Sequence, residues 1–177
     1  MEEMIAAAIK SEDKELLIDE IMKWYGQEIL QLAYSYVRNQ AIAEDLTQDI
    51  FVKCYRSIDT YNGKSKLRTW LWRIAINHCK DFLKSWHNKN VVPTDEEMAI
   101  GSEKELVEGA VIQKEADDQL IEAILTLPVM YREVIYFFYY EERTIKEISE
   151  LTDVRSNTVK TRLRRAKELL KERLEES

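Results

Sequence analysis

Apolar side chains recur along most of the chain at the spacing of an amphipathic helix. They fall every three or four positions through residues 16–39, 41–59 and 67–87, which is the period of one helical face. Residues 61–65 contain Asn62-Gly63 and predict a turn. Towards the C-terminus the same pattern predicts helices at about residues 118–126, 128–141, 145–151 and 156–175. No segment alternates with the period of a β-strand, so the sequence predicts an all-α fold.

One face of each predicted N-terminal helix carries the side chains expected in a core. In the first helix these are Leu16, Leu17, Ile21, Trp24, Tyr25, Ile29, Leu32, Ala33 and Tyr36. In the second they are Leu46, Ile50, Val52 and Tyr55. In the third they are Leu71, Ile74, Ala75, Cys79, Phe82 and Leu83. A hydrophobic content of 45% is enough for such cores, and the pattern predicts two small helical bundles.

Acidic residues are concentrated in one segment between the two helical parts. The net charge is −7, yet residues 1–90 hold 13 basic and 13 acidic side chains and residues 119–177 hold 11 of each. Residues 91–118 hold nine acids, two basic residues, one proline and two glycines. This composition is typical of a linker, which can include a short helix. We therefore predict two domains, residues 1–90 and 118–177, joined by an acidic linker at residues 91–117.

The sequence lacks the signals of a secreted, membrane-bound or metal-binding protein. No apolar run approaches the roughly 20 residues of a membrane span, and the N-terminus has acids where a signal peptide has basic residues. Cys54 and Cys79 lack the spacing of metal ligands and are predicted to be buried, reduced thiols. His78 and His87 lack neighbouring ligands, so no metal and no cofactor is expected. We predict a cytoplasmic protein without membrane insertion.

Residues 144–175 have the pattern of a helix-turn-helix. Thr144 and Glu147 form the sequence signature of a capping box, which starts a short helix. Residues 152–155 break that helix, and Ser156 is suited to cap the next one. The last helix would turn its apolar side chains inward, namely Val159, Leu163, Ala166 and Leu170. A short helix, a tight turn and a polar helix are typical of proteins that read the major groove of DNA.

The outward face of the last helix is a candidate for binding duplex DNA. From Arg155 to Arg173 the chain has eight basic residues against two acids. Arginine can form two hydrogen bonds with guanine and asparagine with adenine, while a helix N-terminus can hold a phosphate. The candidate residues are Arg155, Ser156, Asn157, Thr158, Lys160, Thr161, Arg164 and Arg165. A helix with merely hydrated lysines and arginines is the alternative, but it leaves the capped first helix and the turn unexplained.

Acids near the start of the second predicted helix form a candidate protein-binding face. Asp45, Gln48 and Asp49 fall on one exposed side of that helix. Acids at a helix N-terminus also interact favourably with the helix dipole, which is the alternative explanation. The spacing by itself leaves both explanations open.

Basic and aromatic residues are interleaved through residues 61–84, which is a second candidate for nucleic-acid binding. In single-stranded sites cations follow the backbone and aromatic rings stack on unpaired bases. Lys64, Lys66 and Arg68 lie in or beside the predicted turn. Trp70 and Phe82 are also spaced as core residues, so stacking and packing remain alternatives for the aromatic rings.

In their order along the chain, these motifs resemble the extracytoplasmic-function (ECF) sigma factors of bacterial RNA polymerase. The matching stretches are AEDLTQDIFVKCYRSIDTYNG, TWLWRIAINHCKDFLK, an acidic linker, LP-x-x-YREV and SNTVKTRLRRAKELLKERL. Each stretch is moderately specific, whereas the ordered set is highly specific and covers nearly the whole chain. His78 and Cys79 differ from the small residues that are common at these positions in the family.

The resemblance implies a polymerase subunit that selects promoters. Its first domain would bind the clamp helices of the largest polymerase subunit through Asp45, Gln48, Asp49, Phe51 and Lys53. The opened minus-ten element would be bound by Tyr61, Lys64, Lys66, Arg68, Trp70, Arg73, Asn77 and Lys80. The minus-35 duplex would be read by the candidate residues of the last helix.

The resemblance also implies partners besides promoter DNA. The acidic linker would pass towards the RNA exit path of the polymerase and mimic RNA with its carboxylates. The second domain would contact the flap of the second-largest polymerase subunit. An anti-sigma protein would restrain the factor.

Two other functions are compatible with parts of the sequence. A transcription regulator could carry the same C-terminal helix-turn-helix, but residues 1–90 lack the alternating strands and helices of a phosphoacceptor domain. A nuclease would need clustered carboxylates to hold metal ions, and the acids here fall on the linker or on helix surfaces. We therefore predict an initiation factor that is not an enzyme.

Overall fold

The computed structural model describes residues 13–89 and 113–175, with side-chain environments from residue 118 in the second range. These residues belong to two compact units. Neither range contains a strand, which confirms the predicted all-α class. The N-terminal unit consists of α1 (Lys14–Val37), α2 (Gln40–Ser57), a 3₁₀ turn (Ile58–Thr60) and α3 (Leu67–Lys89).

Side-chain caps fix where α1 and α2 begin. The Asp13 carboxylate accepts a hydrogen bond from the Leu16 amide at 3.1 Å, and the Asn39 side chain accepts one from the Ile42 amide at 2.9 Å. Arg38 ends α1 in the left-handed conformation, with φ of 55°. Only Arg38 and Asn39 separate the two helices, so the chain turns sharply and α2 packs against α1.

The N-terminal core forms where α1 packs against both α2 and α3. Its most buried large side chains are Ile21, Ile29, Leu32, Ile50, Leu71, Trp72 and Ile76. Cys54 and Cys79 are buried, as predicted, and form no disulfide. Burial raises the pKa of each thiol to about 12, so both thiols stay protonated at neutral pH.

The predicted core is wrong at several positions of α1 and α2. Leu16 and Trp24 are 51% and 44% exposed, and Val52 and Tyr55 are 47% and 41% exposed. Phe51, predicted to touch a partner, is instead 4% exposed and belongs to the core. Positions 51 and 52 lie about 100° apart on a helix. Contacts from the neighbouring helices therefore decide which of them faces inward.

The buried face of α3 is also displaced from its predicted position. Ile74, Phe82 and Leu83 are only half-buried, whereas Trp72 and Ile76 are fully buried. The cause is that α3 contacts both α1 and α2. Two neighbours cover a wider face than the single apolar stripe on which the sequence prediction relied.

The C-terminal unit differs from its predicted outline at two points. It consists of α4 (Gln113–Leu125), α5 (Val129–Ile135), a π-helical turn (Tyr136–Tyr140), α6 (Ile145–Thr152) and α7 (Ser156–Glu175). α4 begins inside the segment predicted as linker, and residues 91–112 of that segment lie outside the described ranges. The predicted helix 128–141 is divided because the Glu141 amide bonds to the Tyr136 carbonyl five residues back, at 3.0 Å.

The C-terminal core is organised around α7, which contacts α4, α5 and α6. Its buried apolar side chains include Leu127, Val134, Phe137, Ile148, Val159, Leu163 and Ala166. Leu170, predicted to face inward, is half-buried near the end of α7. The inward face of α7 is therefore confirmed over its first three turns, and its remaining faces are left for other contacts.

Candidate nucleic-acid interfaces

The capping box at the start of α6 forms as the sequence predicts. The Thr144 hydroxyl accepts a hydrogen bond from the Glu147 amide at 3.2 Å, and the Thr144 amide donates to the Glu147 carboxylate at 2.8 Å. These hydrogen bonds from Thr144 lower the pKa of Glu147. The box fixes where the first helix of the helix-turn-helix begins.

The turn between α6 and α7 is short and tightly bonded. Asp153 adopts the left-handed conformation, with φ of 57°, and its amide bonds to the Ser149 carbonyl. The Arg155 carbonyl accepts from the Val159 amide at 3.0 Å and is the first carbonyl of α7. Ser156 is therefore the first helical residue, and its predicted role as the cap is wrong by one position. The left-handed Asp153 completes the turn early. α7 therefore begins at Ser156, one residue sooner than it would if Ser156 were its cap.

α7 presents an exposed polar face beside its buried stripe. Val159, Leu163 and Ala166 point into the core, and Ser156 is half-buried. The other predicted DNA-binding residues are exposed, namely Arg155, Asn157, Thr158, Lys160, Thr161, Arg164 and Arg165. An exposed basic face on the second helix of the motif is what a major-groove reader requires.

One arginine of α7 has a structural contact that the sequence analysis missed. Arg162 Nη1 lies 3.8 Å from Oε2 of Glu133, whose side chain is only 3% exposed. Arg132, the residue before Glu133, is also buried, and its Nη1 donates to the Leu127 carbonyl at 2.6 Å. Arg162 thus faces α5, whereas Thr161, Arg164 and Arg165 are exposed to solvent. This pairing could not be predicted from the sequence because 29 positions separate the two partners.

The loop before α3 is held in place by its own contacts. The Tyr61 ring packs against the Trp70 ring with centroids 5.6 Å apart, and the Tyr61 hydroxyl donates to the Ser65 carbonyl at 2.7 Å. The Asn62 side chain accepts from the Lys64 amide at 3.1 Å. Between them Gly63 has φ of +71°, which explains a glycine at this position. The predicted turn is thus an ordered loop beside two half-buried aromatic rings.

Arg68 belongs to the protein framework more than to the open surface. Its Nε donates to the Glu28 carboxylate at 2.6 Å, and its guanidinium lies 4.2 Å from the centre of the Trp72 ring. These contacts join the start of α3 to α1. In the free protein the guanidinium of Arg68 thus contacts both a carboxylate and a buried ring, and its side chain is 33% exposed.

The remaining candidates of this region stay accessible. Lys64 and Lys66 are exposed on the loop. Arg73 and Asn77 are exposed one helical turn apart on α3, and Lys80 is half-buried on the following turn. The loop and one side of α3 therefore form a continuous polar strip, with Tyr61 and Trp70 at its beginning.

A second exposed strip runs along α2. Asp45, Gln48 and Asp49 are exposed, as predicted, and Lys53 is exposed beside them. Val52 lies one turn beyond Asp49 and is exposed as well. Because Phe51 is in the core, the apolar part of this face consists of Val52, with Tyr55 exposed one turn further along.

His78 connects the strip on α2 to α3. Its Nε2 lies 3.6 Å from Oδ2 of Asp49, beyond hydrogen-bond reach, and its side chain is 15% exposed. Loss of solvent lowers the pKa of His78, the charge of Lys53 lowers it further, and the Asp49 carboxylate opposes both effects. The ring is therefore held neutral more strongly than an exposed histidine.

The depressed pKa of His78 predicts a pH-dependent stability. The folded state resists protonation of the ring, whereas the unfolded chain accepts a proton near the ordinary value of 6.5. The contribution of His78 to the free energy of unfolding should therefore be constant well above that value and should fall as the pH is lowered through it. Urea unfolding at several pH values measures this. His78→Gln should flatten the profile, and His87→Gln, an exposed site on the same helix, should not; equal profiles for the two variants would contradict the assignment.

The described residues contain neither a metal-binding cluster nor a membrane-spanning helix. Across residues 13–89 and 113–175, no group of three or more His, Cys, Asp or Glu side chains is placed to hold a metal ion. In those two ranges, no helix is both long and apolar enough to cross a membrane.

Comparison with known proteins identifies the family. Residues 21–88 match Sigma-70 region 2, and residues 117–170 match Sigma-70, region 4. The chain is 34% identical to the ECF RNA polymerase sigma factor SigW of Bacillus subtilis, over 94% of this chain and 92% of that protein. This chain belongs to the ECF sigma factors. A second relative, the ECF sigma factor SigM of the same organism, is 33% identical over 88% of this chain and 94% of that protein.

Solved structures share the ECF sigma factor fold. A chain in the complex of CnrH with the cytosolic domain of CnrY aligns with a TM-score of 0.68 and 18% identity, covering 98% of this chain and 97% of that chain. A chain in the complex of the sigma factor RpoE with the anti-sigma factor NepR, from Bartonella quintana, also has a TM-score of 0.68, with 19% identity and coverage of 89% and 96%.

As an ECF sigma factor, the protein binds core RNA polymerase and directs promoter-specific initiation of transcription. The predicted family and function are thereby confirmed. The regulator and nuclease alternatives are set aside, because regions 2 and 4 occur in order and together match most of the chain.

Proposed function

We propose that this sigma factor contacts promoter DNA at two places with different chemistry. α7 reads the minus-35 element as duplex through the exposed residues between Arg155 and Arg165. The observation that carries this assignment is the exposed basic face of α7, whose opposite face packs against the rest of the helix-turn-helix. Such a helix fits the major groove, where arginine and asparagine distinguish base pairs.

The N-terminal unit binds the opened minus-ten element. Lys64, Lys66, Arg68 and Arg73 would follow the backbone of the separated strand. Asn77 would contact a base, and Lys80 lies at the end of the strip. The ordered loop supports this role, because a binding loop that is already folded loses little entropy when it binds. Tyr61 and Trp70 already pack against each other, so they form one wall of a base pocket rather than two free stacking platforms.

The exposed face of α2 binds the clamp helices of the largest polymerase subunit. Asp45, Gln48 and Asp49 supply its acidic and polar part, with Lys53 at the edge. Val52 is exposed and serves as the apolar contact, whereas Phe51 supports the helix from within the core. An acidic face with an apolar part suits a basic helical partner.

Other partners follow from the family membership. The two solved complexes pair related chains with CnrY and with the anti-sigma factor NepR, and we propose an anti-sigma partner for this chain as well. The C-terminal unit would contact the flap of the second-largest polymerase subunit. The factor would act in the cytoplasm without catalytic chemistry of its own. The RNA-mimicking role of the linker falls mainly on residues outside the described ranges and remains a prediction.

Run-off transcription with purified core polymerase tests the proposal as a whole. Genomic fragments should yield discrete transcripts only when the factor is added. Absence of a factor-dependent transcript from every fragment would contradict the assignment of promoter recognition to this chain.

Charge reversal on the α2 face should weaken polymerase binding. Asp45→Lys places a cation where a basic partner is expected, and the affinity for core polymerase should fall about tenfold or more. Fluorescence anisotropy of the labelled factor measures this affinity, and thermal melting checks that the unit remains folded. Asp19→Lys reverses an exposed acid on α1 and should leave binding unchanged. An equal loss in both variants would indicate that binding depends on the overall charge, and would contradict a specific binding face on α2.

A further inference from the structure

A single carboxylate on α7 holds two of the arginines assigned to DNA. Arg164 Nη1 donates to Oε1 of Glu168 at 3.3 Å, and Arg165 Nη1 donates to Oε2 of the same carboxylate at 3.1 Å. Arg165 Nη1 also lies 3.9 Å from Glu172. The hydrogen bond from Arg165 to Glu168 raises the pKa of Arg165. Both oxygens of Glu168 are thus occupied by guanidinium groups that the proposed function directs to DNA.

These contacts orient the guanidinium groups away from the first turns of α7, which are proposed to contact the bases. The first turns of a recognition helix contact base edges, whereas Glu168 lies three and four positions C-terminal to the arginines it binds. Each arginine also uses one of its two terminal nitrogens, so its fork is not free for a guanine edge or a phosphate. A carboxylate left beside the duplex would in addition repel the phosphate backbone.

The other cation in the first half of this face is arranged differently. Among the described residues, no carboxylate lies within ion-pair distance of Lys160, which is exposed one turn before Arg164. The restraint is therefore confined to the third turn of α7. It distinguishes Arg164 and Arg165 from the residues nearer the helix start.

We propose that Glu168 is a specificity-determining residue that masks Arg164 and Arg165 in the free protein and so limits the sequence-independent affinity of α7 for duplex DNA. DNA must displace the carboxylate from both guanidinium groups before they can bind. The contribution of each pair is small because the pairs are exposed to solvent. Two pairs together with the phosphate repulsion remain large enough to change affinity several-fold. This inference rests on the proposed assignment of the two arginines to DNA.

The test compares two variants that remove the same charge from the same helix. Glu168→Gln removes the carboxylate that pairs with Arg164 and Arg165. Glu175→Gln removes a carboxylate whose ion-pair partner among the described residues is Lys171, at 3.6 Å. The full-length chain is titrated into a labelled duplex of mixed sequence, and anisotropy is followed over a series of salt concentrations. Thermal melting checks that both variants remain folded.

Glu168→Gln should bind the duplex roughly threefold to fivefold more tightly than both the wild type and Glu175→Gln. Its salt dependence should steepen by about one to two released ions, because two cations become available to phosphates. If both variants gain the same affinity for the duplex, the gain is due to the change in net charge, and the proposal is overturned. Weaker binding by Glu168→Gln would overturn it as well, since the carboxylate would then be orienting the arginines for DNA.

A second background separates this proposal from the function on which it rests. In a chain carrying Arg164→Ala and Arg165→Ala, the gain from Glu168→Gln should disappear, because there is nothing left to unmask. If the double arginine variant binds duplex as tightly as the wild type, the assignment of these arginines to DNA is wrong. If it binds more weakly but the gain from Glu168→Gln persists, only the masking proposal fails.

Discussion

Replacing Trp72 with alanine is expected to lower the free energy of unfolding of the N-terminal unit by about 4 kcal/mol. The side chain is 1% exposed in the core around α3, so its removal leaves a cavity that the neighbouring helices cannot fill. Its ring also supports the guanidinium of Arg68 at 4.2 Å. Loss of the ring should therefore loosen the link between α3 and α1 next to the minus-ten loop. Urea unfolding followed by circular dichroism measures the change.

A second tryptophan provides the matched control. Trp24 is 44% exposed on α1, and its Nε1 donates to the Glu20 carboxylate at 3.1 Å. Trp24→Ala removes the same side chain from the surface and should change the free energy of unfolding by about 0.5 kcal/mol or less. Comparable losses for the two variants would mean that Trp72 is not the core residue described above.

Arg164→Ala and Asn77→Ala are expected to impair different steps of initiation. Arg164 is exposed on α7, so its removal should weaken binding to the upstream duplex element about tenfold or more, as expected for the loss of one arginine–guanine contact. Asn77 lies on α3 beside the ordered loop, and its removal should spare duplex binding but impair strand opening or selection of the downstream element. Anisotropy with the upstream duplex and run-off transcription on the full promoter separate the two steps.

Lys171→Ala is the control for the arginine variant. It removes one cation from the same helix, at an exposed position paired with Glu175, and should reduce duplex binding far less than Arg164→Ala. Equal effects of Arg164→Ala and Asn77→Ala on duplex binding would contradict the division between the two DNA sites. If Glu168 masks Arg164, the loss caused by Arg164→Ala should also be larger in the Glu168→Gln background.

The local elements of this protein could be predicted from its sequence. Helix periodicity, the capping box at Thr144 and Glu147, and the turn around Gly63 depend on residues within one or two turns of each other. Such interactions need no distant partner, so the all-α class and the helix-turn-helix could be predicted from the sequence. The exposed face of α7 followed for the same reason, since its buried stripe fixes the direction of the remaining side chains.

Only the tertiary structure decided which side chains face a neighbouring helix and which cations are already bound. Phe51 and Val52 are adjacent in sequence, and contacts from the neighbouring helices place one in the core and the other at the surface. Arg68 is committed to Glu28, and Arg162 to Glu133, through pairings that span 40 and 29 positions. The sequence determined which residues can bind DNA or polymerase, because that depends on their chemistry. The fold decided which of them are buried or paired with distant residues, because those contacts depend on packing between helices.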